Sequence, residues 1–226
     1  MESIKEKSKD PKNNIYKIVM IFTIGCFLGC IFETGLCYIQ RGYFESRKGL
    51  IYGPFNPVYG FAMVVVTIFL EKEQNNILLY LKGFLLGGIV EYFCSWIQEI
   101  IFKTSSWNYN SYFLNFNGRT SIYHMVWWGI LSFLYIKLLH PMIIKIIYKI
   151  KEDQRIIIMC VLTIFFTIDA FISSMACIRR VQRINGNKPS NNFERFIDKH
   201  YNDEVIKKVY PNLKDPKTLI KISKMK

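Results

Sequence analysis

The sequence predicts an all-α protein: a polytopic membrane helix bundle of about five transmembrane helices, built as a tandem two-helix repeat plus a fifth helix. Three observations carry that reading. Five apolar stretches recur along the 226 residues, roughly 16–39, 55–70, 77–102, 121–139 and 156–178. Most reach the ~17–25 residues needed to cross a bilayer. Two stretches share a frame of glycines and one acid: 25–40 reads GCFLGCIFETGLCYIQ and 83–98 reads GFLLGGIVEYFCSWIQ, with seven of sixteen aligned pairs identical. The basic excess is local, since residues 179–226 hold thirteen Lys or Arg against five Asp or Glu, +8 of a total of +13. A basic tail just beyond a last membrane helix reads as cytoplasmic.

Residues 1–14 are polar and mixed in charge and read as an N-terminal arm, with Asp10-Pro11 as a stop. The transmembrane domain follows over 15–178. Its first helix is too long for a cleaved signal segment, carries Glu33 and lacks a small-residue cleavage site. Gly25, Gly29 and Glu33 fall every fourth residue and so share one face. The glycines let another helix approach closely. The acid costs roughly 2.5–3.5 kcal/mol in hydrocarbon and belongs against protein, not lipid.

Between Arg41 and Gly60 the chain reads RGYFESRKGLIYGPFNPVYG. Arg47 sits in this loop, and Gly53, Pro54, Pro57 and Gly60 break any regular helix. Two readings stay open. One is a tight turn into a short second helix, with Tyr59 near its start. The other is a bent segment that dips into the membrane beside the Glu33 face, with free backbone groups available to a ligand. The first repeat unit is thus about 25–70.

The second unit, about 83–139, repeats the pattern. Gly83, Gly87, Glu91, Ser95 and Glu99 form the stripe of its first helix. Its loop is aromatic, with Trp107, Tyr109, Tyr112, Phe113 and Phe116 suited to the headgroup belt, and it ends in Asn117-Gly118-Arg119. Arg119 precedes the fourth helix as Arg47 precedes the second. The expectation is that Glu33 and Glu91 face one another across the first and third helices, with both arginines at one membrane face. His140-Pro141 closes the fourth helix, and 142–150 reads as an interfacial segment. The fifth helix, 156–178, carries Asp169 with Ser173 one turn on.

The tail, 179–226, contains an amphipathic helix that Ser190 would cap, with Phe193, Phe196, Ile197, Tyr201, Val205 and Val209 on its apolar side. Such a helix lies on the membrane or docks on a partner. All six cysteines fall in the apolar helices at spacings that match no zinc set, so packing is expected and no metal site or cofactor. No nucleic-acid module accompanies the charge.

Taken together, these residues resemble the bacterial family called "putative ABC-transporter type IV", small permease-like membrane proteins. The resemblance rests on Glu33; Arg47 and Gly49; Gly53, Pro54, Pro57, Tyr59 and Gly60; Glu91, Tyr92, Ser95 and Glu99. Trp107 and Tyr109, Asn117-Gly118-Arg119, His140-Pro141, and Asp169 with Ser173 extend it over about residues 16–178. Departures are Ser46 where Asn is usual, Lys48 inserted before Gly49, and Asn108 where Asp is usual.

The resemblance implies a transport component of a bacterial cell membrane. Glu33, Glu91, Ser95, Glu99, Asp169, Ser173, Arg47 and Arg119 then line a substrate or proton path. Gly53, Pro54, Pro57, Tyr59, Gly60, Trp107, Tyr109, Asn117 and Gly118 shape its bent segments. The chain has no GxxxxGK[ST], so a separate ATPase subunit would have to dock on it, and few helices imply a homodimer or a membrane partner chain. A non-transporting interaction protein, its acids and arginines simply paired, is the alternative. A lipid-modifying enzyme is weaker still, because no nucleophile–base set is present.

Overall fold

The computed structural model describes residues 11–214, and the chain is helical almost throughout. In order come α1 (Pro11–Arg41), α2 (Pro57–Leu70), α3 (Asn76–Phe102), α4 (Ile122–Ile147), α5 (Glu152–Ile184), α6 (Asn192–His200) and α7 (Asp203–Val209). A two-residue hairpin, β1 (Asn115–Phe116) with β2 (Thr120–Ser121), precedes α4. Four helices are long and apolar enough to cross a membrane: α1, α3, α4 and α5. The stretch expected at 55–70 is the shorter apolar helix α2, whose 14 residues rise about 21 Å against a hydrocarbon core of about 30 Å.

The boundaries have local causes. Pro11 opens α1, so 11–14 of the expected polar arm are helical, and 1–10 lie outside the described residues. Asn56, Asn75 and Ser121 cap α2, α3 and α4 by accepting backbone amides with their side chains. Pro141 has no amide to give, and α4 widens to a π-helical turn over Tyr135–Leu139 just before it, with the His140 amide reaching back to Tyr135. The expected single tail helix is two short ones. Asn191 and Asn202 are the caps, and Ser190 instead binds Glu194. Residues 215–226 of the tail lie outside the described residues.

Chain direction sorts the polar ends. At the end where α1 starts and α2 finishes, Lys17 pairs with Glu71 at 3.0 Å and Tyr16 donates to the Ile147 carbonyl at 3.0 Å. Arg155 is buried there, with Asn13 and the Tyr148 and Ile150 carbonyls taking its protons. The opposite end gathers the 42–56 and 103–121 loops under the tail. Ser46 donates to Val209, Asn212 donates to Ser106, and Ser105 and Lys214 exchange backbone hydrogen bonds. The outer faces are apolar and exposed, as at Ile89, Phe93, Ile157 and Ile164, which suits lipid.

Candidate functional site

The site is built from two helical hairpins that pack alike. In the first, α1 lies on α2, and a Cβ added to Gly29 would fall inside the Tyr59 ring, while one on Gly25 would meet Gly60 and Met63. In the second, α3 lies on α4, and a Cβ on Gly87 would overlap Trp128, while one on Gly83 would meet Ser132 and Gly129. The reverse contacts also match: Gly60 rests on Phe22 and Gly129 on Tyr80. Residues 22, 25 and 29 map onto 80, 83 and 87 by adding 58, and 59, 60 and 63 map onto 128, 129 and 132 by adding 69. Small residues thus admit one large neighbour each, which is what close helix approach requires.

This packing corrects the expectation that the first and third helices meet through their glycine faces. Each glycine face is covered by the second helix of its own hairpin, and Tyr59 and Trp128 meet at 5.4 Å between ring centroids.

Both second helices start deep. Gly29 lies opposite Tyr59, yet α1 continues twelve residues to Arg41; Gly87 lies opposite Trp128, yet α3 continues fifteen to Phe102. The connecting loops must therefore run back along the helix they have just left. Asn56 donates its amide to the Cys26 carbonyl, 2.9 Å away at the midpoint of α1. The Gly53–Gly60 segment folds back beside α1 and leads directly into α2. Asp169 and Ser173 on α5 hold it: the Ile51 amide donates to Ser173 Oγ at 2.9 Å, and the Tyr52 amide to Asp169 Oδ1 at 3.2 Å. Exposed peptide groups thus find side-chain partners, a condition for irregular backbone at this depth.

At the deep ends of the two loops sit the two carboxylates. Tyr59 donates to Glu33 Oε1 at 2.6 Å. Tyr109 donates to Glu91 Oε1 at 3.0 Å, and Thr120 to Glu91 Oε2 at 2.6 Å. Glu91 is 6% exposed and Glu33 is half-buried. His124 stacks on Tyr109 with centroids 3.6 Å apart, and its Nδ1 meets Ser121 Oγ at 2.8 Å. Among the described residues neither carboxylate forms an ion pair with Lys, Arg or His, and the groups that partner them, hydroxyls and for Glu91 also the Trp128 side chain, are neutral. Such a group has no built-in counter-ion and is free to accept a proton or a mobile cation.

The arginines do other work. Arg119 pairs with Glu99 and lies 5.3 Å over the Tyr92 ring; Arg47 pairs with Glu45 at 2.9 Å and reaches Cys37 Sγ. Trp107 donates to the Arg119 carbonyl, and Asn117 to the Tyr92 hydroxyl. Gly118 has φ +70°, and a Cβ there would strike Asn110. Ser95 is buried on the Gly83–Glu91 stripe, while Glu99 is at its exposed end. Sequence reading missed Thr120, His124 and Trp128. Only Trp128 had a visible signal, the aromatic-glycine pair Trp128-Gly129 that matches Tyr59-Gly60.

A family model described as "Putative ABC-transporter type IV" matches residues 20–174, more than two thirds of the chain and all of the two hairpins except the first turns of α1. No curated protein and no solved structure matches the chain.

Proposed function

The chain belongs to the putative ABC-transporter type IV family, a membrane transport-related group, and from that premise we propose that it is a permease-type component. It moves protons or a small cationic solute past Glu33 and Glu91. One observation carries the reading: two carboxylates, held only by neutral groups, stand where two loops fold back along their helices. A purely structural acid would be expected to meet an arginine, and the arginines here are spent on Glu45 and Glu99.

The matching glycine–aromatic contacts of the two hairpins support reading them as a tandem repeat, with α2 as the shortened fifth crossing. Glu33, Tyr59, Glu91, Tyr109 and Thr120 form the centre of the path. Ser95, Glu99 and Arg119 lead from it toward one face along α3, and Asp169 and Ser173 fix the first loop with Arg47 above it. The loop-and-tail end is the cytoplasmic one, in a bacterial cell membrane. A separate ATPase subunit docks at that end, and a second copy or another membrane chain completes the walls.

The test is transport by membrane vesicles from cells that express the chain with its partners, energised with ATP, followed with a luminal pH dye. Glu91→Gln should abolish the wild-type response while the protein stays inserted and melts at a similar temperature. The non-transporting alternative draws on the two arginine–acid pairs as internal pins. It gains if Glu91→Gln lowers the melting temperature and vesicles with and without the chain respond alike.

A further inference from the structure

The tail helix α6 has three faces, and only one of them is used inside the protein. Ile197 is fully buried against α5 and α7. Beside it Glu194 and Asp198 both turn inward to Arg179, a guanidinium whose residue is 1% exposed; Asp198 also takes Arg183. Both acids of the helix are therefore neutralised from within. Its remaining charges, Arg195 and Lys199, point outward and are exposed, as is His200.

Between the buried face and the basic one lie Phe193 and Phe196, 42% and 48% exposed. They do not stand alone. The Phe193 ring packs on Phe171 of α5 with centroids 5.9 Å apart, and Phe171, itself 55% exposed, continues the outward apolar run of Ile157, Val161, Ile164 and Ile168. Phe171 is sixteen residues above Arg155, about 24 Å along the helix, so it falls in the outer part of a ~30 Å hydrocarbon layer. Phe193 thus extends the lipid-facing surface of a crossing helix onto a helix that lies beside it.

We propose that α6 is an interfacial anchor that binds anionic phospholipid in the leaflet at the loop-and-tail face. Phe193 and Phe196 enter the acyl boundary, and Arg195 and Lys199 hold headgroup phosphates. Order around the helix fits this: docking face, apolar edge, then basic edge, with the long basic side chains next to the aromatics they would flank in a membrane interface. A protein partner would meet the same aromatics, but the surface is continuous with lipid-facing α5, and that continuity decides for lipid. The anchor has a mechanical connection. Tyr201, which ends α6, meets the Tyr52 hydroxyl of the first loop.

The experiment places the photoreactive residue p-benzoylphenylalanine at position 196, or at 171 as a lipid-facing reference, in the full chain in native membranes. The same is done in nanodiscs of phosphatidylglycerol and phosphatidylcholine mixed equally. The expected result is a phospholipid adduct at 196 as at 171, enriched in phosphatidylglycerol. Arg195→Gln with Lys199→Gln should lose that enrichment, by about fivefold per charge removed. Adducts at 196 that are protein only, no lipid adduct at 196 while 171 gives one, or enrichment unchanged in the double variant would each overturn the proposal.

Discussion

The Tyr59 hydroxyl donates to Glu33 over 2.6 Å, and the same ring fills the notch left by Gly29. One side chain therefore joins the start of α2, the glycine face of α1 and an acid on α1, and packing fixes where its proton points. Tyr59→Phe keeps the ring and removes only the donor. It is expected to lower stability by about 1–3 kcal/mol, the range for leaving a buried polar group unsatisfied. Thermal melting in detergent measures this, and a gain in stability would show that Glu33 has another partner.

Glycine substitutions should divide by what faces them. Gly87→Ala pushes a methyl into Trp128 and is expected to cost about 1–3 kcal/mol by overpacking. Gly35→Ala, also helical, meets nothing within 4 Å and should be neutral or stabilising by about 0.5–1 kcal/mol. Equal melting shifts for the two would mean that the close approach of α3 and α4 does not matter.

Tail docking should depend on pH with a definite sign. Hydrogen bonds from Arg179, then Arg183, hold the Asp198 carboxyl below the usual carboxylate range despite its burial. The Ser190 amide and hydroxyl do the same for Glu194. Groups with lowered folded pKa values contribute stability above their unfolded values, near 4, and lose it as pH falls through the lower folded ones. Tryptic cleavage after Arg195 or Lys199, sampled by brief pre-incubation at each pH, should stay constant from pH 7 to about 5 and rise after exposure below about 4. Asp198→Asn should raise it already at pH 7, since it leaves the buried Arg179 short of an anion.

Sidedness follows from the clustering of loops and tail. Single cysteines at positions 113 and 199 should react with an impermeant maleimide from one side, and cysteines at 72 and 151 from the other. Native cysteines interfere little: four are buried, Cys94 is half-buried, and the exposed Cys160 lies in a crossing helix among apolar residues. Reaction of 113 and 199 from opposite sides would contradict the arrangement.

What was legible in the sequence is what periodicity can encode. Glycines at every fourth position in front of an acid marked both stripes, and Gly83, Gly87, Glu91 and Ser95 are indeed all buried. The prolines and glycines of 53–60 announced a break, and Asp169 and Ser173 announced a polar contact on α5. Periodicity does not say which helix covers a face. So the first helix is read against the third when each glycine face is covered by its own hairpin. Glu33 and Glu91 lie within electrostatic reach of one another, each with its own tyrosine. Arg119 meets Glu99 at the end of the stripe, and Arg47 meets Glu45. Thr120 was invisible for a related reason: a threonine at a helix entrance looks like a cap, and its neighbour Ser121 holds that role.

The depth at which α2 and α4 begin has an electrical consequence. Loops that carry polar backbone down to the level of Tyr59 and Glu91 thin the insulating layer on their side. A voltage across the membrane then falls chiefly over the remaining part, beside Ala62, Val66 and Leu70 of α2, where the packing is apolar. Under the proposed permease function, a charge arriving at Glu91 from the loop face crosses little of the field. Its onward step meets most of the ~2.3 kcal/mol that each elementary charge experiences per 100 mV. Voltage would therefore act on departure from the carboxylates more than on arrival.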